Sequence, residues 1–366
     1  MTLQQQRRFA RRLLNKIGHR SQVRGNAITA ELRAREIERF LAAHPVQSAA
    51  LYDIWADEYG AVQAEEWRSA RQRGLIYNYD YRRLRARPVE WYPKRRGTSG
   101  FRKICMFGSE EKMWHRLARD LIRAQHQPRE HIGDWRGRGR DDQMKKLIAA
   151  IKSPWQAVVV ADIRRAFEHV NVDAIYDLPY LPEPLIRRAI DHRTHRFVCR
   201  ERSHRQGDIA LPDDVDTIGM VPSGLMEGSP ASNAIFSVLM DDLPDHLDET
   251  IQAFVYCDNI ILLAPDKSQA RRAKTSLAVY LSGHRAGPFT ITANAPVLVT
   301  EGFEHLGYSL RLKTKVEVGL SLQNWIELTR KVEGATSREA IETWLATSFS
   351  LLAGVPLEAI RQNLAA

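Results

Sequence analysis

Apolar side chains recur at helical spacing through the first part of the chain, at Ile37, Phe40 and Leu41 and again at Leu51, Ile54 and Trp55. The spacing predicts a helical region up to about residue 85. From Trp91 the texture changes. Tyr92-Pro93-Lys94-Arg95-Arg96-Gly97 and Thr98-Ser99-Gly100 lead into Phe101-Arg102-Lys103-Ile104-Cys105-Met106-Phe107. This reads as a strand, a glycine-containing turn and a second strand, with basic residues on both arms. Ser109 is placed to cap the next helix, with Glu110 and Glu111 in its first turn and Met113, Leu117 and Leu121 as its apolar stripe. Asp141 and Asp142 open another helix through Leu147, Ile148 and Ile151.

Gln156 to Asp162 is an apolar strand that ends in a carboxylate. Gly224-Leu225-Met226-Glu227-Gly228-Ser229-Pro230-Ala231-Ser232-Asn233 is turn-rich and opens a helix through Ile235, Phe236 and Leu239. Next, Phe254-Val255-Tyr256 and Ile260-Ile261-Leu262-Leu263 flank the polar step Cys257-Asp258-Asn259, the pattern of two strands around a tight turn. A basic helix is expected from about Ser268 to Leu281. Phe303 to Leu310 reads as a small hairpin. The tail is helical, with a capping box from Thr336 to Glu339 and an apolar face of Ile341, Leu345, Phe349 and Leu352.

Composition narrows the partners. The 366 residues are 44% apolar, carry a net charge of +10 and have a pI near 9.6, so the natural partner is a polyanion. Charge alone does not separate nucleic acid from anionic lipid, but no stretch is long and apolar enough to cross a membrane. Cys105, Cys199 and Cys257 form no disulfide framework, which suits a reducing, cytoplasmic setting. Arg7, Arg8, Arg11 and Arg12 make the N-terminus a basic surface helix; an organellar transit peptide is the other reading. Further basic residues gather at Arg82, Arg83, Arg85 and Arg87. From Ile190 to Gly207, Arg193, Arg196, Arg200, Arg202 and Arg205 surround His192, His195, Cys199 and His204. That spacing fits no common zinc pattern, and a nucleic-acid-facing segment suits it better.

Two carboxylates stand out chemically. Asp258 at the tip of an apolar hairpin is by itself an ordinary turn residue or a metal ligand. Asp162 at the end of a buried strand can cap the next segment of chain. If the two were brought side by side, capping would not suffice. Like charges held close need a cation between them or a raised pKa.

The order of these pieces resembles the reverse transcriptases, in particular bacterial ones related to group II intron and retron enzymes. The resemblance runs from about Trp91 to Leu310 and rests on four elements: Ala161-Asp162 followed by Phe167, Gly224 to Phe236, Tyr256-Cys257-Asp258-Asn259, and Leu306-Gly307-Tyr308. It implies an α+β right-hand polymerase with fingers, an antiparallel palm and a short helical thumb. Residues 1–88 would be a basic helical extension, 89–320 fingers and palm, and 321–366 the thumb. Asp162 and Asp258, with the Ile163 carbonyl, would hold Mg²⁺, with Mn²⁺ as the substitute, and Asn259 would complete the catalytic set. Lys94 and Arg102 would meet the incoming triphosphate, together with Glu227, Gly228 and Ser232. Phe167 would exclude a 2′-hydroxyl and so select dNTPs. Leu306, Gly307 and Tyr308 would be the primer grip.

The chain departs from the family twice. Asn259 stands where a second Asp is usual, and Glu227 where a Gln is usual. Asn can ligate through its carbonyl but brings no charge, so a second ion should be held less tightly. The expected activity is RNA-directed DNA synthesis by a stand-alone bacterial enzyme, with RNA, a DNA product and dNTPs as partners and no membrane. A dedicated non-coding RNA, a role in anti-phage defence, and a partner protein or second copy belong to the same expectation. The rivals are a catalytically impaired nucleic-acid-binding scaffold, a template-independent nucleotidyl transferase and an RNA-dependent RNA polymerase.

Overall fold

A computed structural model of the chain describes residues 1–22, 27–73, 79–83, 88–95, 101–151, 156–200, 221–333, 337–353 and 355. The helical start consists of α1 (Leu3–Gln22), α2 (Ala27–Ala42), α3 (His44–Tyr59) and α4 (Ala61–Gln72). Pro45 in the first turn of α3 has a φ suited to a helix start, and Gly60, at φ 87°, separates α3 from α4. The hairpin follows as β1 (Val89–Arg95) and antiparallel β2 (Phe101–Met106). Its turn falls on residues 96–100, outside the described residues, as do Arg85, Arg87, Arg202, His204, Arg205 and Thr336.

Helix α5 (Ser109–Gln125) buries Met113, Leu117 and Leu121 as its stripe requires. Ser109 is not its cap, however. Gly108 holds the extended N-cap position and Ser109 is already helical, while Glu110 and Glu111 place negative charge at the helix start. Then come α6 (Arg140–Ala150), β3 (Ala157–Ile163), α7 (Asp173–Tyr176), α8 (Glu183–Ala189), β4 (Phe197–Cys199) and α9 (Ser232–Leu239). The second half alternates β5 (Gln252–Tyr256), β6 (Asn259–Ala264), α10 (Lys267–Ser282), β7 (Ile291–Ala293) and β8 (Val297–Leu298). It ends with β9 (Phe303–His305), β10 (Tyr308–Leu312), β11 (Val316–Leu320), α11 (Leu322–Glu333) and α12 (Arg338–Ser348). The cap of α12 is Ser337, one residue after the expected Thr336, and its hydroxyl accepts from the Ala340 N–H at 3.2 Å.

Contacts group the chain into two compact units. One comprises Met1–Gln127, Arg165–Val238 and Arg285–Gly287. There α1, α3 and α5 pack on one another. Gly18 lets α1 approach α5, because a Cβ at that position would lie 2.4 Å from the Ala124 carbonyl oxygen. This unit also holds a small sheet of order β2-β1-β4, in which β1 is antiparallel to β2 and parallel to β4.

The other unit comprises Pro128–Arg164, Leu239–His284 and Pro288–Ala366. Its main sheet has the order β5-β6-β3-β7, with β8 also on β3, and every pairing is antiparallel. A second antiparallel sheet has the order β11-β10-β9. Strand alternation places Val158, Phe254, Ile261 and Leu263 in one core with Tyr308, Leu310, Leu328, Ile341, Leu345 and Phe349. Each fully buried side chain of this kind contributes about 1.5–3 kcal/mol. Helix α10 packs on β3, β6 and β7, and its buried Ala270, Ala273 and Leu277 stay outside that core. The chain is thus mixed α+β with largely antiparallel, open sheets. No helix among the described residues is long and apolar enough to cross a membrane.

Candidate active site

The predicted turn between apolar strands is present, and the register gives it chemical neighbours. Tyr256 and Asn259 close the β5–β6 hairpin, leaving Cys257 and Asp258 as its two central residues. Cys257 has φ 52°, a left-handed conformation that tight hairpin turns favour but that strains a residue bearing a Cβ. Across the sheet Asn259 opposes Asp162, and Asp162 in turn opposes Thr292. Directly paired residues share a face, so Tyr256, Asn259, Asp162 and Thr292 form one row across four strands. Two residues further along each strand, the same face carries Phe254, Ile261 and Val160, which belong to the core. The polar row is therefore the open end of a face whose interior is packed.

Two bonds tie this end together. The Ile163 N–H donates to the Asp258 carbonyl at 2.9 Å, holding the turn against the end of β3. The Asn259 side-chain N–H donates to Asp258 Oδ1 at 3.0 Å. An Asp at position 259 could not make that second bond when ionised.

A brace that no periodicity marks lies along the outer edge of β5. The Val255 N–H donates to the His131 carbonyl at 2.8 Å, and the Gly133 N–H donates to the Val255 carbonyl at 2.7 Å. Asp134, nearly buried, then accepts from the Cys257 thiol at 3.3 Å. Burial, followed by the Asp134 and Asp258 carboxylates, pushes the Cys257 thiol well above its ordinary range, so it stays protonated and remains a donor. A lone Asp before a Trp gives no sequence signal for this; only the fold brings it to the turn.

The residues fit a hard cation of one kind. Asp162, Asp258 and the Ile163 carbonyl offer oxygen donors, the set Mg²⁺ prefers. Among the described residues no group of three or more His, Cys, Asp or Glu is arranged to hold a metal. Two carboxylates suit a Mg²⁺ whose shell is completed by water and phosphate.

The other unit gathers a second set of the expected residues. Half-buried Phe167 lies 5.4 Å, ring to ring, from the fully buried Phe236 of α9. The Leu225 N–H donates to the Phe167 carbonyl at 2.8 Å. That closeness requires Gly224, at φ 62°, because a Cβ there would lie 2.1 Å from the same oxygen. The Cys105 N–H donates to the Glu227 carbonyl at 2.8 Å, so the loop also lies along β2. Gly228 is exposed, and Glu227 is partly so. Ser232 is buried and its hydroxyl donates to the Met226 carbonyl at 2.9 Å, a bond that shapes the loop. Lys94 and Arg102 are direct cross-strand partners on β1 and β2. Like charges so placed repel one another, and a bound anion would offset that.

Leu306 and Gly307 form the two-residue turn between β9 and β10, with φ values of 49° and 85°. Tyr308 is fully buried, and its hydroxyl donates to Asp141 Oδ1 at 2.8 Å. Asp141 also accepts from the Ser350 hydroxyl and from Arg140 at 3.2 Å. Burial would raise the Asp141 carboxyl, but the hydrogen bonds from Ser350, Tyr308 and Arg140 outweigh it and hold the group below its ordinary range. Periodicity made Asp141 a helix-opening residue only; its hydroxyl partners, Tyr308 and Ser350, come from more than 160 positions away.

Neither a protein-family model nor a curated protein matches this chain.

Proposed function

We propose that this protein is an RNA-directed DNA polymerase that adds dNTPs to a 3′-hydroxyl with the help of Mg²⁺. The observation that carries the reading is the β3–β6 register, which sets Asp162 opposite Asn259 and one residue from the hairpin Asp258. In this reading the five-stranded sheet is the palm of a right-hand polymerase, and α11 and α12 form the thumb. Asp162, Asp258 and the Ile163 carbonyl hold the cation. When bound, Mg²⁺ lowers the pKa of the primer hydroxyl and stabilises charge on the transferred phosphate.

The remaining roles belong to the chain itself. Asn259 orients the Asp258 carboxylate through its 3.0 Å bond. Lys94 and Arg102 bind the triphosphate. Phe167, backed by Phe236, lies under the sugar and leaves no room for a 2′-hydroxyl. Glu227 and Gly228 border the nucleotide. Ser232 acts on the loop from within, and Tyr308 on the grip turn, since both are buried. Leu306 and the Gly307 backbone are then the parts of that turn that meet the primer.

One observation favours a second reading, a scaffold that binds nucleic acid without chemistry. The Asn259 amide donates to Asp258 Oδ1 and brings no negative charge of its own to the turn, which weakens the pull on a cation. Primer extension on an RNA template with labelled dNTPs and Mg²⁺ or Mn²⁺ separates the two. Incorporation that disappears in Asp162→Ala and Asp258→Ala supports the polymerase. Incorporation that survives Asp258→Ala overturns the site, and none by the native chain under any of these conditions selects the scaffold.

A further inference from the structure

The first helix carries charge that the proposed palm chemistry does not use. Over its 20 residues α1 contains no Asp or Glu. Leu13 and Ile17 are buried at 3% and 0% exposure, which fixes the opposite side outward. That outward side presents Arg8, Arg11, Arg12, Asn15 and Lys16, all exposed. The spacing from Arg8 through Arg11, Arg12 and Asn15 is i, i+3, i+4, i+7, a single helical face. The flanking cations are already engaged: Arg7 pairs with Asp53, and Arg20 with Glu36 at 3.4 Å. Arg8, Arg11, Arg12 and Asn15 also line one shallow depression, together with Gln5.

We infer that this face of α1 is a docking surface for the sugar-phosphate backbone of RNA. Cations on one helical face, about 5–6 Å apart at i, i+3 and i+4, suit successive phosphates along a strand. A lipid surface is the poorer fit, because a membrane-binding helix needs bulky apolar residues beside its cations, and the apolar side of α1 is turned into the protein. Insertion into a B-DNA major groove would need a helix free on most sides, whereas α1 packs against α2, α3 and α5. Asn15, set among the arginines, is a neutral donor and acceptor suited to a 2′-hydroxyl, the group that separates RNA from DNA. The surface reads backbone and sugar, with no base sequence.

Fluorescence anisotropy with a labelled RNA hairpin, a DNA hairpin of the same sequence and anionic vesicles tests this on the full-length chain. Arg8→Gln/Arg11→Gln/Arg12→Gln removes three exposed charges while keeping good helix formers. It should weaken RNA binding at least about tenfold and flatten the dependence of log affinity on log salt by about 0.7–0.9 for each phosphate no longer neutralised. Asn15→Ala should narrow the preference for RNA over DNA with little change in the salt slope. Unchanged RNA affinity and slope in the triple variant overturn the surface. Equal binding of RNA and DNA by the native chain, or stronger binding to vesicles than to RNA, overturns its assignment to RNA. Binding is read without nucleotide, so a native chain that binds RNA through α1 yet incorporates nothing fails the polymerase reading alone, and a triple variant that binds unchanged fails the docking surface alone.

Discussion

At the scale of single residues, the departure at position 259 becomes a bond with a direction. Asn259 donates to Asp258 Oδ1, so it contributes hydrogen-bonded order where a carboxylate would contribute charge. Asn259→Asp should lower the Mg²⁺ concentration needed for half-maximal incorporation, because a second negative charge attracts the cation while repelling Asp258. Metal titration of primer extension reads this, and an unchanged or raised requirement would show that the amide is the better partner. Asp258→Ala should reduce incorporation about a hundredfold or more, since a metal supplies several kcal/mol of charge stabilisation and each 1.36 kcal/mol is tenfold. Asp141 carries a separate prediction about stability. Its folded pKa is depressed from 3.8, so it binds fewer protons than the unfolded chain as the pH nears that value. The stabilisation is therefore complete above the unfolded pKa and is lost as pH falls through the folded one. Tyr308→Phe removes one of the charge-assisted bonds responsible and should cost about 1.5–3 kcal/mol at neutral pH. Denaturant unfolding should give that loss near neutrality, with a smaller difference from the native chain once Asp141 is protonated.

At the scale of elements, what the sequence made legible was local. The strand ending at Asp162, the hairpin at Cys257-Asp258 and the turn at Leu306-Gly307 each arise from apolar runs broken by residues that turn. Cap positions slipped by one at Ser109 and Thr336, because a backbone glycine and a neighbouring serine competed for the same role. The brace of His131 to Asp134 along β5 had no period to announce it, since it is made by edge hydrogen bonds between distant segments. Periodicity did not say that Asn259 and Asp162 would be partners, since register is a property of two strands together; only the resemblance set Asp162 beside the hairpin. The loop from Gly224 to Ser232 lies between these cases. Its glycines were visible, but their reason is the carbonyl of Phe167 against Gly224 and the carbonyl of Cys105 against Gly228. Gly224→Ala should therefore displace the loop or Phe167, since the clash is with backbone that cannot rotate away and the φ of 62° is itself strained. A lower melting temperature together with weaker discrimination against ribonucleotides is expected. Normal stability with normal discrimination would mean that the loop does not position Phe167.

At the scale of the whole chain, the segments of each unit are not continuous in sequence. The helices before residue 89 belong to the same unit as β1, β2, α5, Phe167 and the loop from Gly224 to Ser232. Their contact with α5 is intimate: Gly18 meets the Ala124 backbone, Asp53 pairs with Arg116, and Glu58 with Lys112. The buried Trp114 of α5 lies 6.0 Å, ring to ring, from Tyr81. Removing residues 1–88 would bare one side of α5 along its length, and with it apolar surface that folding had withdrawn from water. The expected outcome is a fragment, 89–366, that loses cooperative unfolding and hydrogen-exchange protection in α5. The loss should extend to β1 and β2, which lead directly into α5. Protection along β3 and β6 is the informative contrast, because those strands pair within the other unit. If they stay protected while α5 exchanges freely, the two units fold with separate stabilities. If α5 keeps its protection in the fragment, the N-terminal helices are an appendage, and the contacts at Gly18 and Asp53 contribute little to folding.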